Sequence, residues 1–319
     1  MRWPNKGLSN MSEVEAPLTL DEQVPLVHAL VARVASNHGI RVVFIKGPLL
    51  ALQGLRMPRT SSDVDVLCDP ARLREFSMAL EDWGWRKYII EDTGPEVLAQ
   101  HASSYVHDFW FCGVDLHNTF PGFCASPQQA FDVLWDRKVE EVIAGQRIPA
   151  CDRLGSSLVQ ALHLERNRSA NWYVSDLDFL VTTVRETFDQ GDLLDLATLA
   201  RDTGSADTLA PFLDSVGAPR IGRGTTPRAA LDNWTILTAA IETPVILWIE
   251  ELHRSKVRRW PSIVWRGLTY NDHPSADLNN QISTRTHGVH IHHLTRRLWR
   301  AVRFTPRAVR ELMRMRLKE

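Results

Sequence analysis

The chain has 319 residues, of which 44% are hydrophobic and 24% charged, and its formal net charge is −1. These values are typical of a globular protein with room for two domains, and they exclude fibrous and broadly disordered classes. Because no apolar stretch reaches the about 20 residues of a membrane-spanning helix, and the first residues lack a signal-like apolar segment, we expect a cytoplasmic protein.

The first predicted elements follow a polar tail over residues 1–20. Apolar residues at helical spacing in "VPLVHALVARVASN" predict an amphipathic helix that ends near Gly39, and "RVVFI" predicts a buried strand. Lys46 and Gly47 interrupt that strand, and "PLLALQGL" predicts a short helix beginning at a proline. The next strand is "DVDVLC", and a helix follows the Asp69-Pro70 step.

Two hairpins and a change of period complete the organisation. Two strands are predicted in each of two segments, "SSYVHDFWFCGVDLHNTF" and "VEEVIAGQRIPAC". From Asp152 onwards the apolar residues recur at helical spacing. We therefore predict an α+β fold in which a small mixed-sheet domain is followed by a helical domain. The expected boundaries are 21–150 for the sheet domain, 151–216 for the helical domain, 217–233 for a connection and 234–319 for a helical C-terminal region.

Two aspartates stand two residues apart inside an apolar strand. Side chains at that spacing point to the same face, so the carboxylates of Asp63 and Asp65 should lie close together. Two buried carboxylates repel each other unless a cation lies between them, and hard divalent ions take oxygen ligands and pair with phosphates. The spacing is consistent with a Mg²⁺ or Mn²⁺ site for phosphoryl transfer. An Asp-x-Asp pair alone is a weak signal.

Neighbouring residues add to this interpretation. The break at Lys46-Gly47 leads into a helix, whose free N–H groups favour a phosphate. Arg56 and Arg59 lie between that helix and the aspartates, where a guanidinium could bind a triphosphate through two hydrogen bonds. Asp115, on a later strand, could supply a third carboxylate.

This order of features resembles the uncharacterised nucleotidyltransferase family of the polymerase β-like superfamily. The specific part is Arg-x-x-Ser-Asp-x-Asp-x-Leu from Arg59 to Leu67, followed later by Val-Asp-Leu-His around Asp115. The resemblance runs from about Val24 to Ala210, and "ALHLERN" and "YVSDLDFL" are similar to two helices of that family. Many superfamily members have Gly-Ser shortly before the paired aspartates, whereas Lys46-Gly47 precedes them here by a whole helix.

The resemblance implies a role for each matching residue. It makes Asp63, Asp65 and Asp115 the ligands of Mg²⁺ or Mn²⁺, with Asp115 helping to activate the attacking hydroxyl. It implies that an NTP is the substrate, that a nucleoside monophosphate is transferred to an acceptor hydroxyl, and that pyrophosphate leaves. The acceptor could be a small molecule, a peptide or an RNA. The residues expected to bind the nucleotide are Lys46, Gly47, Arg56, Arg59 and Ser62.

Other interpretations of the same residues remain open. Asp63 could instead bond the Ser61-Ser62 turn at the start of a strand. The chain could also be a catalytically inert nucleotidyltransferase-fold module that binds a nucleotide or a partner, which an Asp115 lying away from the pair would favour. We expect His163, Asp176 and Asp178 to serve helix packing and capping rather than catalysis. "HGVHIHH" over residues 287–293 has no acidic or cysteine partner nearby and is interpreted as an exposed polar segment.

The end of the chain is basic. Residues 285–319 contain ten Lys or Arg against two Glu. Such a segment could bind RNA, which would suit a toxin-like enzyme acting on tRNA. Apolar residues that recur at helical spacing favour instead a helix packed on the domain with its arginines in solvent: Leu294, Leu298, Val302 and Val309.

Overall fold

The computed structural model describes residues 18–88, 101–168, 170–242 and 245–269. Most of the polar tail, the histidine-rich segment 287–293 and the basic segment 285–319 lie outside these residues. In the described part of the chain, every helix is too short or too polar to cross a bilayer.

The first half of the described chain builds a sheet with helices on both of its faces. The predicted strands and helices are found, and Asp69 accepts a hydrogen bond from Ala71 N at the start of the turn that precedes the third helix. The elements are α1 (Leu20–Asn37), β1 (Val42–Ile45), α2 (Gly47–Leu52), β2 (Asp63–Cys68), α3 (Leu73–Asp82), β3 (Arg86–Lys87), β4 (Ala102–Val106), β5 (Gly113–His117), α4 (Pro127–Asp136), β6 (Val139–Ile143) and β7 (Gln146–Ala150).

The sheet is mixed, with seven strands in the order β3-β4-β5-β2-β1-β7-β6. Strand β2 pairs antiparallel with β1 and parallel with β5, so it lies at the centre with β5 on one side and β1 on the other. Strand β4 continues the sheet beyond β5 in the antiparallel sense. This order determines which segments flank the aspartates.

The second half of the described chain is helical. Its elements are α5 (Arg153–Arg166), α6 (Tyr173–Thr187), α7 (Gln190–Asp202), α8 (Ala210–Ser215), α9 (Arg228–Glu242), α10 (Val245–Arg254) and α11 (Trp260–Thr269). A mixed sheet followed by helices confirms the predicted α+β class.

Alternating residues of the central strands belong to two different hydrophobic cores. Phe44 and Val66 pack with α1 and α3 on one face, whereas Ile45 and Leu67 pack with α4 and the helical half on the other. Since side chains two apart share a face, Asp63 and Asp65 lie on the face of Leu67. The paired aspartates therefore lie on the side of the sheet that the helical half covers.

One close approach between the halves depends on a glycine. Gly204, after α7, has φ +71°, and a Cβ built there would lie 2.4 Å from the backbone nitrogen of Ala125. We expect Gly204→Ala to lower the free energy of unfolding by about 3 kcal/mol or more. The positive φ is strained for alanine, and its Cβ would collide with the backbone at Ala125. Gly217→Ala is the matched control: its φ is +76° but nothing lies within 4 Å, so about 1 kcal/mol is expected. If urea unfolding gave the two variants the same loss in free energy of unfolding, this expectation would be contradicted.

Candidate active site

The pairing of β2 with β5 brings the aspartates together. Asp65 lies directly opposite Asp115 in this parallel pair, and Leu67 lies opposite His117. Directly opposed residues on neighbouring strands project to the same face, and residues two apart share it. Asp115 is therefore on the same side of the sheet as Asp63 and Asp65.

Three of these side chains are close enough to share one ion. One ligand atom from each of Asp65, Asp115 and His117 lies within 4.8 Å of the others. Asp63 is not a member of this group. The sequence analysis did not propose His117 as a ligand, although its position two residues after Asp115 in one strand was a sufficient signal for a shared face.

Asp65 is the most buried carboxylate of the site, with 3% of its surface exposed. Its Oδ1 lies 2.6 Å from Lys46 Nζ and accepts a hydrogen bond from His117 Nε2 at 2.9 Å. Burial alone would raise the pKa of Asp65, but the Lys46 ammonium and the His117 hydrogen bond outweigh it and hold that pKa below its usual range. Asp65 is therefore ionised at neutral pH.

The Lys46-Gly47 step follows β1 in an unusual backbone conformation. Both residues have positive φ, +57° at Lys46 and +56° at Gly47, which is uncommon for a residue with a Cβ. The conformation directs the Lys46 ammonium to Asp65, and only 13% of the Lys46 side chain is exposed. The helix that follows has six residues, so its N-terminus alone does not define an anion site.

A fully buried histidine lies beneath this step. His28 Nδ1 is 2.8 Å from the Val24 carbonyl, so Nδ1 carries the proton, and Nε2 is a bare acceptor with no hydrogen-bond partner among the residues that the structure describes. Burial lowers the pKa of His28 to about 4, and the ring is neutral. A Cβ at Gly47 would lie 3.7 Å from His28 Nε2 and from Ser61 Oγ, so the glycine leaves space above these polar atoms.

Asp115 and Asp63 have different surroundings. Asp115 Oδ1 accepts a hydrogen bond from Ser104 Oγ on β4 at 2.6 Å. Asp63 stands at the start of β2, where burial and then the charge of Asp65 raise its pKa to about 7. A carboxyl that is half protonated near neutral pH can become fully ionised when a cation approaches.

The raised pKa of Asp63 has a consequence for stability. Between about pH 4, where an unfolded aspartate ionises, and pH 7, where folded Asp63 does, the folded state binds more protons. Asp63 therefore lowers the free energy of unfolding as pH rises through this window. We expect Asp63→Asn to be more stable than the wild type by about 1 to 4 kcal/mol at pH 8, and equal to it below pH 4.

Urea unfolding in the presence of a chelator measures this difference. Asp178→Asn, at an exposed position of α6, is the control and should follow the wild type at both pH values. A stabilisation of Asp63→Asn that is the same at pH 4 and pH 8 would contradict the assignment.

The predicted nucleotide-binding residues between α2 and β2 are held by protein groups. Arg56 is buried, and its Nη2 donates to the Gly47 carbonyl at 3.1 Å and lies 3.4 Å from Ser61 Oγ. Burial, followed by the charge of Arg59, lowers the pKa of Arg56. Ser62 is exposed. Arg56 thus braces the loop between Lys46 and the aspartates.

Arg59 reaches across to the helical half. Its Nη1 lies 2.7 Å from Asp176 on α6, and its guanidinium lies 5.1 Å from the ring centroid of Trp172. The expected packing role of Asp176 therefore includes an ion pair that the sequence analysis did not foresee. Asp178 is exposed on the same helix.

Helix α5 faces the aspartates from the helical half. His163 stacks on Trp172 with ring centroids 5.6 Å apart, and burial followed by the charges of Lys46 and Arg166 lowers its pKa to about 3. Arg166, one turn further, lies 3.2 Å through Nη1 from His101 Nε2, and the ring of His101 lies 5.9 Å from that of His117. His163 packs on Trp172 as predicted, but within the electrostatic reach of the site.

The side chains present fit a divalent ion. Carboxylate oxygens suit Mg²⁺ and Mn²⁺, and one imidazole within the group suits Mn²⁺ better than Mg²⁺. His117 Nδ1 is buried without a hydrogen-bond partner among the described residues, so this ring has a free ligand atom or proton donor beside the carboxylates. A Mg²⁺ or Mn²⁺ ion is therefore compatible with the donor set.

Paired aspartates on a central strand, a third on its neighbour and a helical half over that face are the arrangement expected of a nucleotidyltransferase. Residues 27–210, more than half of the chain, match the family described as uncharacterised nucleotidyltransferase. The protein belongs to this family, which confirms the resemblance inferred from the sequence.

Two solved structures are similar to this one. An antigenic nucleotidyltransferase-like protein from Paracoccidioides brasiliensis has a TM-score of 0.40 and 13% identity, covering 64% of this chain and 95% of that chain. The antibiotic-resistance factor ANT(2'')-Ia has a TM-score of 0.40 and 13% identity, covering 61% and 96%. The search of curated proteins found no match.

Proposed function

We propose that the protein is a metal-dependent nucleotidyltransferase that uses an NTP. The oxygen of an acceptor hydroxyl attacks the α-phosphorus, a P–O bond to the acceptor forms, and the bond to the bridging oxygen of pyrophosphate breaks. Pyrophosphate leaves with that electron pair. The hydroxyl proton passes to a carboxylate of the site and then to solvent.

One observation carries this proposal: the register that sets Asp65 opposite Asp115 on neighbouring strands, with ligand atoms of both in one group within 4.8 Å. Converging carboxylates are costly to bury on a face that another layer covers. Such clusters are concentrated at functional sites. The inert module would be favoured by an Asp115 remote from the pair, and this pairing argues against it.

The roles follow from position. Asp65 is ionised and central, and we assign it, with Asp63 and Asp115, to the divalent ion. That ion, when bound, neutralises charge on the phosphates and lowers the pKa of the acceptor hydroxyl. Asp115 receives the hydroxyl proton. We assign His117 to orienting Asp65, through the hydrogen bond between them.

The nucleotide is assigned to the β1 side of the aspartates. Lys46 and Gly47 follow β1, and Arg56 braces the same loop. We propose that these residues, together with Ser62, bind the triphosphate. Arg59 would join them by exchanging Asp176 for a phosphate oxygen. The cytoplasmic location and the RNA-binding alternative for residues 285–319 stay predictions from the sequence.

Labelling tests the proposed function. The purified full chain is incubated with each α-³²P-labelled NTP, with Mg²⁺ or Mn²⁺, and with fractionated cell extract as the source of acceptor. We expect one class of extract component to become labelled, together with release of pyrophosphate. Removal of the metal with EDTA should abolish labelling.

Two variants control the assay. Asp115→Asn should lose labelling, because it removes a charged ligand and the proton acceptor, whereas Asp178→Asn should keep it. Labelling that persists at the wild-type rate in Asp115→Asn would overturn the assignment of this site. Binding of NTP and metal without any transfer would favour the inert module.

A further inference from the structure

The wall of the site opposite Lys46 contains an arginine that has no carboxylate partner in the described part of the chain. Arg166 is partly buried at the end of α5, and its Nη1 lies 3.2 Å from His101 Nε2. Within the described ranges, no carboxylate lies within 4.0 Å of its guanidinium. A guanidinium has five N–H donors in a planar fork, so most of these donors have no partner among the described residues.

Such a group is unusual in a partly buried position. Burial lowers the pKa of Arg166, and the charges of Asp65 and Asp115 oppose that effect from a distance. Arg59 and Arg168 are paired directly with carboxylates of the helical half, Asp176 and Glu165. Arg166 differs because its donors meet an imidazole nitrogen rather than an anion.

The order of the strands determines on which side of the aspartates Arg166 lies. His101 immediately precedes β4, and β4 borders β5, the strand of Asp115. Lys46 follows β1, which borders β2 on the other side of the aspartates. Ser104 on β4 also donates to Asp115. Arg166 therefore lies on the Asp115 side of the site, away from the segment assigned to the triphosphate.

We propose that Arg166 binds a carboxylate or phosphate group of the acceptor, so that the substrate class is an anionic hydroxyl compound. The inference rests on the proposed function, because it takes the β1 side for the nucleotide. The planar fork of Arg166 matches either anion through two parallel hydrogen bonds. Bound in this way, an acceptor would present a neighbouring hydroxyl to Asp115.

The groups around Arg166 disfavour an acceptor that carries positive charge. His163 is neutral at pH 7, with a pKa of about 3, and it lies on the same helix face one turn before Arg166. The carboxylate of Glu165, next to Arg166 in the chain, is paired with Arg168. A polycationic acceptor would therefore meet the positive charge of Arg166, and the neighbouring Glu165 is already paired.

Binding of inorganic phosphate tests the anion site directly. Phosphate is titrated into the full chain and followed by ³¹P NMR, first without nucleotide and then with the magnesium complex of a non-hydrolysable NTP analogue. We expect Arg166→Gln to weaken phosphate binding by about 10- to 100-fold, the value of hydrogen bonds to a charged group. Affinity for the nucleotide analogue should change less than about twofold.

Two further variants keep the result interpretable. Arg166→Lys retains the charge without the fork, so an intermediate loss is expected, and it guards against a folding defect in Arg166→Gln. Arg185→Gln removes an arginine of α6 that donates to one backbone carbonyl, that of Ser215, and should leave phosphate binding unchanged. Circular dichroism checks that each variant is folded.

The outcomes separate the possibilities. Loss of nucleotide affinity in Arg166→Gln would assign the arginine to the triphosphate and overturn the proposal, as would unchanged phosphate binding. In the labelling reaction, wild type should modify glycerol 3-phosphate or glycerate in preference to glycerol or an aminoglycoside, and Arg166→Gln should lose that preference. If the wild type bound no NTP, the proposed function would fail, while the phosphate titration without nucleotide would still report on Arg166.

Discussion

Replacing Asp65 by asparagine is expected to lower the rate of nucleotidyl transfer by about a thousand-fold or more. Metal stabilisation of charge in a phosphoryl transition state amounts to several kcal/mol, and each 1.36 kcal/mol is about a factor of ten. Asp65 is the carboxylate at the centre of the site, with 3% exposure and bonds to both Lys46 and His117. Asparagine keeps its shape but removes the charge that holds a cation.

The measurement needs a stability control, because the same change weakens a buried ion pair. Asp69 immediately follows β2, is also buried, and pairs with Arg41 at 2.7 Å. Asp69→Asn should lose stability but keep transfer, whereas Asp65→Asn should lose both transfer and Mn²⁺ binding measured by electron paramagnetic resonance. Both assays are run well below the melting temperature of each variant. Transfer by Asp65→Asn at the rate of Asp69→Asn would exclude Asp65 as a metal ligand.

The local geometry of the aspartates could be predicted because strand periodicity is a local property. Spacing of two residues places Asp63 and Asp65 on one face in any strand, and the burial of that face follows from the apolar residues between and after them. The register that brings Asp115 opposite Asp65 is not local. It depends on a parallel pairing between strands that are separated by α3, β3 and β4, and the family resemblance indicated only that Asp115 joins the pair.

The contacts between the two halves could not be predicted. Arg59 and Asp176 are 117 positions apart, and no periodicity links a loop before β2 with a helix of the second half. The sequence analysis therefore assigned Arg59 to phosphate and Asp176 to packing. Arg166 was also missed, because a charged residue in the last turn of a helix is common for reasons of the helix dipole. Its significance appears only in the folded chain, where it contacts His101 immediately before β4.

Lys46 shows why side-chain direction needs the folded chain. The family resemblance implied that it lies near the phosphates. In the structure its positive φ turns the side chain toward Asp65, and its Nζ lies 5.7 Å from the ring centroid of Phe120. Lys46 therefore acts as a counter-ion of the buried carboxylate in addition to its proposed role with the nucleotide.

A double-mutant cycle on this pair should give a large coupling energy. Lys46→Met leaves ionised Asp65 buried with His117 as its remaining close partner, and we expect a loss of about 3 to 5 kcal/mol in the free energy of unfolding. Asp65→Asn leaves the Lys46 ammonium against a neutral amide, and a loss of about 1 to 3 kcal/mol is expected. Methionine has a Cβ as lysine does, so the cost of the positive φ cancels in the comparison.

The double variant should lose about 2 kcal/mol less than the sum of the single variants, because neither change then leaves an unpaired buried charge. Urea unfolding in EDTA at pH 7.5 measures the four proteins. Lys138→Met, whose ammonium lies 4.1 Å from the ring centroid of Trp135, is the control and should be additive with Asp65→Asn. Additivity of Lys46→Met with Asp65→Asn within about 0.5 kcal/mol would mean that the 2.6 Å contact contributes nothing specific to stability. Lys46 would then be free for the triphosphate without any loss to the fold.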